Sequence, residues 1–317
     1  MDAATVLLIL GVIVCASADD PSSTSPAATL KPEDQPYIFT VVETEPYLEV
    51  RKGKTGNSKF GGFIPAFLRD LKDRKAIPAN YQMQLAKDGR YGYYNNDEGR
   101  WVGMIGEVMV QSPMKTSVAD LAAGPIQVTA IRNSVVDFSI IWANVTVVLV
   151  THVDNGFDTV QDVLDSDHSL GGIDGGSSLQ AISHEFKEPF SSMWSKIESD
   201  PDAKVADAEA GIARARKGNY TVVVESLYAD YMVNKHCELK TIDTKLSVHG
   251  YAFAMTKGSA LKPELDRGIQ EMVSDGSLDK LRRKYWKVPC VSGQSAVIWR
   301  PAVVVAFVVS ALLLRSS

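Results

Sequence analysis

Residues 119–139, ADLAAGPIQVTAIRNSVVDFS, join a short apolar run to a Gly-Pro pair and a single arginine. The run at 119–123 predicts a buried central strand, because apolar strands of this length are typical of sheets covered on both faces. Gly124-Pro125 predicts the end of that strand, since proline has no N–H to donate to a neighbouring strand. Arg132 follows on a predicted turn of helix, which would present its guanidinium at the end of the strand.

An arginine at the carboxyl end of a strand suggests a site for an anion. Ligands of open α/β folds bind beyond the carboxyl ends of the strands, and arginine can bind a carboxylate through two parallel hydrogen bonds. A solvated arginine on the surface would give the same pattern, so the interpretation of Arg132 depends on the rest of the chain.

The composition is that of a globular protein without a basic surface. Of its 317 residues 45% are hydrophobic and 22% are charged, and the length suggests one or two domains. The formal net charge is −5, so nucleic acid is not a predicted partner. Cys15 lies in an N-terminal apolar run, which leaves Cys237 and Cys290, an even number suited to one disulfide if the protein is exported.

The N-terminus carries an apolar run that is typical of a targeting signal. Residues 6–14, VLLILGVIV, are followed by small residues at 16–18, and together they predict a signal peptide over 1–18. Residues 19–35 are rich in Pro, Ser, Thr and Asp, which predicts a disordered leader after the cleavage site.

A second apolar run lies near the C-terminus. Residues 302–314, AVVVAFVVSALLL, would cover about 20 Å as a helix, which is shorter than the roughly 30 Å hydrocarbon core of a bilayer. With small residues at 292–293 and 295–296 before it, the run predicts a GPI-attachment signal over 291–317. A short transmembrane tail anchor is the alternative, and either would tether the protein to the extracellular face of the plasma membrane.

Between the two ends, strand and helix patterns alternate. Apolar runs and period-two patterns predict strands, and apolar residues at spacings of three and four predict helices. The alternation predicts an α/β fold with mostly parallel sheets in two halves. The predicted strands are 37–42, 81–85, 119–123, 145–150, 170–173, 220–224, 239–242 and 251–255, and the predicted helices are 64–73, 101–110, 159–164, 179–186 and 263–284, the last with a break at Gly276.

Two further polar groups follow predicted strands. The segment DGGSS at 174–178 precedes a predicted helix, so Ser177 and Ser178 are either part of an anion site or simple N-caps. Glu225 ends another strand, where a carboxylate is either exposed or the partner of a cation. If these strand ends face one cleft, they form a site for an α-amino acid: Arg132 for the α-carboxylate, Glu225 for the ammonium and the serines for a side-chain anion.

From about 37 to 290 the chain resembles the ligand-binding core of ionotropic glutamate receptors, and more distantly the bacterial periplasmic amino-acid-binding proteins. The resemblance implies a two-lobed, periplasmic-binding-protein-like clamshell, with lobe 1 over 36–142 and 250–290 and lobe 2 over 143–249. It rests on FGGF at 60–63, DGRYG at 88–92, WVGMIGEV at 101–108, GPIQVTAIRNSVVDFS at 124–139, GGIDGGSS at 171–178, VVVES at 222–226, and the pair Cys237 and Cys290.

The resemblance also implies a role for each site residue. Arg132 would clamp the α-carboxylate, Pro125 would offer its carbonyl to the ammonium, and Glu225 would be the acidic partner of the ammonium. Ser177 and Ser178 would hold a distal carboxylate, and the two cysteines would form the disulfide of the family.

Three positions depart from the family pattern and leave the ligand open. Gln127 stands where threonine is expected, Phe63 where a tyrosine would cover the ligand, and Tyr228 where methionine or another mid-sized residue is usual. We include all three in the predicted ligand-binding set. Ser178 keeps a hydroxyl, which favours L-glutamate or a similar acidic ligand, whereas a cavity narrowed by Tyr228 would suit glycine or another small amino acid.

The receptors of this family carry three membrane segments between their two binding segments, and here THVDNG at 151–156 connects the two directly. The chain is therefore predicted not to form a channel alone. We expect a tethered binding protein whose lobes close on an amino acid, or a partner of other receptor subunits, and not an enzyme. No histidine lies in a catalytic or metal-binding motif, so neither a metal nor a cofactor is predicted, and an enzyme on this scaffold or a module without a working pocket are the alternatives.

Two sequons predict glycosylation of an exported protein. Asn144 and Asn219 each stand in an Asn-X-Thr sequence. Each also precedes a predicted buried strand, so the sequence leaves their occupancy open.

Overall fold

A computed structural model describes residues 35–109 and 118–290 of the chain. The predicted signal peptide, the C-terminal attachment signal and, apart from residue 35, the leader lie outside the described residues.

The described chain contains strands and helices in alternation, as the sequence predicts. The strands are β1 (Tyr37–Val41), β2 (Glu49–Val50), β3 (Phe60–Gly61), β4 (Tyr81–Leu85), β5 (Tyr94–Asn95), β6 (Arg100–Trp101), β7 (Leu121–Gln127), β8 (Asp137–Phe138), β9 (Ala143–His152), β10 (Ser169–Ile173), β11 (Lys204–Val205), β12 (Tyr220–Glu225) and β13 (Leu239–Met255). The α-helices are α1 (Phe63–Asp73), α2 (Gly103–Val108), α3 (Ala130–Val135), α4 (Val160–Asp165), α5 (Ser177–Ser183), α6 (Phe190–Ser199), α7 (Ala208–Ala215), α8 (Ser226–Lys235), α9 (Lys262–Ser274) and α10 (Ser277–Trp286).

Eight of these strands follow one another across a single sheet in the order β11-β10-β12-β9-β13-β7-β1-β4, and β8 pairs with β13. Strands β4, β1 and β7 run parallel to one another, and so do β11, β10 and β12. The two long strands β9 and β13 run antiparallel to each other and join the two parallel groups. This confirms the predicted α/β class. The lobe boundaries proposed from the resemblance stay a prediction.

Helix α1 shows how the apolar periodicity produces the packing. Its inner residues Ile64, Phe67, Leu68 and Leu71 are at most 1% exposed and recur at spacings of three and four. The helix begins one residue earlier than predicted because Gly62 lies before it at a φ of 98°, and a Cβ there would come within 2.8 Å of a backbone oxygen. Only glycine therefore allows this close entry into the helix.

Strand β7 corrects the prediction that Gly124-Pro125 ends the strand, because it continues to Gln127. On one side β1 pairs with β7 over only two residues, both before the Gly-Pro pair. On the other side the register of β13 shifts between Ala252 and Ala254, opposite the same pair. Proline therefore stands where neither neighbour needs its missing N–H, and the strand passes through it.

Other element boundaries also differ from the sequence pattern. The helix predicted over 101–110 is a short strand, β6, followed by α2, and the strands predicted at 239–242 and 251–255 are parts of the single strand β13. The predicted break in the last helix is confirmed: Gly276 has a φ of 74° and separates α9 from α10.

Cys237 and Cys290 form the predicted disulfide, with their Cα atoms 5.5 Å apart. It ties the chain between α8 and β13 to the segment after α10. Residues 151–156 continue β9 into a short 3₁₀ turn at Val153–Asn155. Within the described ranges, no helix is both long and apolar enough to cross a bilayer.

Candidate ligand-binding site

A cleft of about 830 Å³ opens where β7, β10 and β12 reach their carboxyl ends. Its walls come from both parallel groups of strands, as expected for a ligand site in an α/β fold. Seven of the eight predicted ligand-binding residues line it: Pro125, Gln127, Arg132, Ser177, Ser178, Glu225 and Tyr228.

Phe63 is the eighth, and its predicted position over the ligand is wrong. It is 1% exposed and packs in the core against Phe67, Trp142 and Trp286, with ring centroids 5.4–5.6 Å apart. It is the first residue of α1, whose apolar face turns inward, so the helix directs the Phe63 ring into the core.

The cleft contains one strongly buried cation, Arg132, which is 6% exposed. Helix α3 positions it through Thr129, whose Oγ1 accepts a hydrogen bond from the Arg132 backbone N–H at 3.2 Å. The guanidinium Nε and Nη2 donate to the Gly92 carbonyl at 3.1 and 2.9 Å. Nη1 donates to the Gln127 carbonyl at 2.9 Å.

These bonds use three of the five N–H donors of the Arg132 guanidinium. One N–H on each terminal nitrogen is left without a partner among the described residues. Two donors on neighbouring nitrogens match the two oxygens of a carboxylate. The backbone of the site thus orients the arginine and leaves its carboxylate-binding groups available.

Burial lowers the pKa of Arg132 from its ordinary value to about 10, and Glu225 and Tyr91 offset part of that effect. The side chain still carries its charge at neutral pH. The protein compensates this positive charge only in part. An anion bound at the free N–H groups would therefore be stabilised by the charge that remains.

Glu225 supplies the negative charge of the site. It is the last residue of β12, is half-buried, and lies at the N-cap position of α8. Glu225 acts electrostatically on Arg132, yet no ion pair within 4 Å joins the two side chains. A zwitterion has the charges needed to lie between two such groups, with its carboxylate on the arginine and its ammonium on the glutamate.

The two serines contact Glu225 and are not N-caps. Helix α5 has Gly176 as its N-cap. Ser178 Oγ donates to Glu225 Oε1 at 2.7 Å, and Ser177 Oγ donates to the same oxygen at 3.3 Å. Both hydroxyl groups therefore orient the carboxylate in this structure, and their predicted role as donors to a distal ligand carboxylate stays a prediction.

Gln127 and Tyr228 bring buried polar atoms to the cleft. Each residue is 4% exposed. The Gln127 Oε1 and the Tyr228 hydroxyl have no hydrogen-bond partner among the described residues. Burial raises the pKa of Tyr228 well above its ordinary value, so the hydroxyl keeps its proton. An unpaired buried polar group costs free energy, so both atoms favour a ligand that can bond them.

Four tyrosines of the cleft were not predicted from the sequence: Tyr47, Tyr91, Tyr93 and Tyr251. The Tyr91 hydroxyl donates to Thr44 Oγ1 at 3.1 Å, and burial raises its pKa. Tyr91 lies in the DGRYG segment, directly before the glycine whose carbonyl holds Arg132. The DGRYG motif could have identified Tyr91 as a cleft residue from the sequence, whereas no local pattern indicates Tyr47 or Tyr251.

Two parallel α/β groups joined by long antiparallel strands, with a charged cleft at their strand ends, define a periplasmic-binding-protein-like fold. Residues 100–288 match the family described as bacterial extracellular solute-binding proteins, family 3, and residues 35–155 match the ligated ion channel L-glutamate- and glycine-binding site. The match to the solute-binding family covers more than half of the chain. The chain therefore belongs to this family of extracellular solute-binding proteins, and its resemblance to the ionotropic glutamate receptor ligand-binding core is confirmed.

Among curated proteins the chain is similar to glutamate receptor ionotropic, kainate 4, of Homo sapiens. The two are 21% identical over 79% of this chain and 38% of the receptor. It is also 28% identical to glutamate receptor ionotropic, kainate glr-3, of Caenorhabditis elegans over 37% of this chain and 14% of that protein. The chain thus spans well under half the length of these relatives.

Among solved structures the fold is similar to that described as Drosophila muscle GluRIIB complex with glutamate. The TM-score is 0.74 and the identity is 24%, over 80% of this chain and 99% of that chain. The likeness shows a common fold. The matched relatives are receptors and binding proteins.

Proposed function

We propose that this protein binds an α-amino acid in the cleft between β7 and β12. The observation that carries the proposal is the pairing of two opposite charges in one cleft: a buried arginine with two available N–H groups lines the same cleft as the Glu225 carboxylate, with which it forms no ion pair. The α-carboxylate lies on Arg132, and the ammonium lies between Glu225 and the Pro125 carbonyl. This arrangement binds the α-carboxylate and the α-ammonium, which all α-amino acids share, and it accepts different side chains.

The family resemblance makes L-glutamate, or a small amino acid such as glycine, the first candidates. Isothermal titration of the purified full-length protein against a panel of L-amino acids tests the proposal. We expect saturable binding of at least one of them with one site per chain. A folded protein that binds none would refute the proposal, and turnover of the bound amino acid would instead support an enzyme on this scaffold.

Ligand binding is proposed to close the cleft about the segments where the two parallel groups meet. The chain passes between the groups at the start of β9 and within β13, where Ala143 pairs with Tyr251. A hinge at these few backbone segments would let the groups approach as rigid bodies. A ligand-dependent fall in the radius of gyration, measured by small-angle X-ray scattering, is the expected result, and an unchanged radius at saturating ligand would argue against closure.

We also propose that the protein acts outside the cell, tethered through its C-terminal segment, either as an amino-acid buffer or as a partner of other receptor subunits. The predicted signal peptide and attachment signal support this location. Asn144 and Asn219 are both exposed, which fits glycosylation in the secretory pathway. Release from cells by a phosphatidylinositol-specific phospholipase is expected for a GPI anchor, and retention in the membrane would favour the tail anchor.

A further inference from the structure

The cleft extends past the amino-acid clamp to a distal region between α7 and α8, where the ligand side chain would lie. The cations that line this region are already neutralised. Lys204 Nζ lies 3.2 Å from Glu198, Arg216 Nε lies 2.6 Å from Glu238, and Lys235 forms an ion pair with Glu45. None of the three is a free partner for a negatively charged side chain.

Several acids of the same region are not paired with a cation, although Asp207 Oδ1 accepts a hydrogen bond from the Ala210 N–H at 2.8 Å as the N-cap of α7. Asp174, Asp207 and Glu209 line the cleft and form no ion pair with any residue in the described ranges. Two of these carboxylates, with Glu45, are close enough to act electrostatically on the Tyr228 hydroxyl. A second carboxylate on the ligand would therefore enter a field of like charge, and such juxtapositions are costly.

The hydrogen-bonding groups point to the same conclusion. Ser177 and Ser178, the hydroxyl donors suited to a distal carboxylate, both donate to Glu225. The buried side-chain atoms of the cleft that remain unpaired among the described residues are the Gln127 Oε1, which only accepts, and the Tyr47 and Tyr228 hydroxyl groups, which accept as well as donate. Each of these unpaired oxygen atoms can accept a hydrogen bond from a ligand N–H group.

We infer that the amino acid bound in this cleft carries a side chain with N–H donors and no negative charge, an amide or an amine. The inference rests on the proposed function and specifies its ligand. It departs from the acidic ligand that the family resemblance suggests, because the distal acids and the occupied serine hydroxyls both disfavour a second carboxylate. The amide N–H groups of such a side chain would bond the Tyr228 hydroxyl and the Gln127 Oε1.

L-Glutamine and L-glutamate provide a matched test, since they have nearly the same shape and differ in the terminal group. Titration calorimetry of the full-length protein with each ligand is expected to show glutamine binding about tenfold more tightly. A preference below about threefold, or any preference for glutamate, would overturn the inference while leaving the amino-acid clamp intact. If neither these ligands nor glycine, alanine and lysine bind, the proposed function itself fails.

A variant pair tests the role of the distal hydroxyl. Tyr228→Phe removes the unpaired hydroxyl, and we expect glutamine to bind three- to tenfold more weakly while alanine, whose side chain does not reach it, is unaffected. Tyr231→Phe is the control on the same helix, because its hydroxyl contacts Glu45 and it does not line the cleft. Equal losses for glutamine and alanine in Tyr228→Phe would show a merely structural role and contradict the inference.

A change of charge gives an independent readout. The double substitution Asp207→Asn with Glu209→Gln removes two distal charges. We expect glutamate to bind the variant more tightly than it binds the unmodified protein, so the ratio of glutamine affinity to glutamate affinity should fall at least threefold. Both residues are exposed, so the variant is expected to fold normally. A glutamine-to-glutamate ratio that does not change would refute the electrostatic part of the inference.

Discussion

Replacement of Arg132 by alanine is expected to abolish amino-acid binding while the fold is retained. The ligand carboxylate would lose two charge-assisted hydrogen bonds, each worth about 1.5–3 kcal/mol. Their combined loss is about 3–6 kcal/mol, which weakens binding by roughly a hundredfold or more. In titration calorimetry an affinity in the micromolar range would fall below detection.

The effect on stability is expected to be much smaller, because two contributions oppose each other. The lowering of the Arg132 pKa to about 10 corresponds to a net cost of about 3 kcal/mol for its charged form in the site, and alanine removes that cost. Alanine also removes the three hydrogen bonds to the Gly92 and Gln127 carbonyls, which are of comparable value. We expect the free energy of unfolding to change by no more than about 2 kcal/mol, as measured by urea denaturation.

Arg90→Ala is the matched control for this substitution. Arg90 is an exposed cation at the rim of the same cleft, and its Nη1 donates to the Tyr93 hydroxyl at 2.8 Å. Its removal should leave ligand affinity within about threefold, since an exposed charge contributes little. The reasoning would be refuted if Arg132→Ala still bound the ligand with near-native affinity, or if Arg90→Ala lost binding to the same extent.

Three further predictions concern the rest of the described chain. Glu225→Gln should weaken amino-acid binding at least tenfold in the same titration, because the ammonium loses its counter-charge, and unchanged affinity would exclude that role. Serine at both Cys237 and Cys290 should lower the free energy of unfolding by about 4 kcal/mol in denaturant titrations, as estimated for a closed loop of 53 residues, and an unchanged midpoint would contradict this. Hydrogen bonds from Ser277 lower the pKa of Asp275 to about 2, so its contribution to stability is present above about pH 4 and is lost as the pH falls toward 2. Asp275→Asn should remove that part of the acid dependence of Tm, and an identical profile in the variant would count against it.

The family pattern predicted correctly that several site residues line the cleft, and it was wrong for one of them. Arg132, Gln127 and Glu225 line the cleft as predicted, because each follows or ends a strand and parallel strands end at a common edge. Phe63 was misplaced because its predicted role came from a matching position in a motif, and the direction of its side chain depends on which face of α1 meets the sheet.

Local patterns in the sequence determined the alternation of strands and helices, the inner face of α1, the break at Gly276 and the presence of a charged clamp. They did so because propensity and apolar periodicity act over a few residues. Tertiary structure alone decided that β7 passes through Pro125, that both serines bond Glu225, and that Tyr47 and Tyr251 join the cleft. It also decided that the distal cations are paired while the distal acids form no ion pair. Contacts such as Lys235 with Glu45, Arg216 with Glu238 and Ser178 with Glu225 join residues far apart in the chain, so local patterns do not determine them.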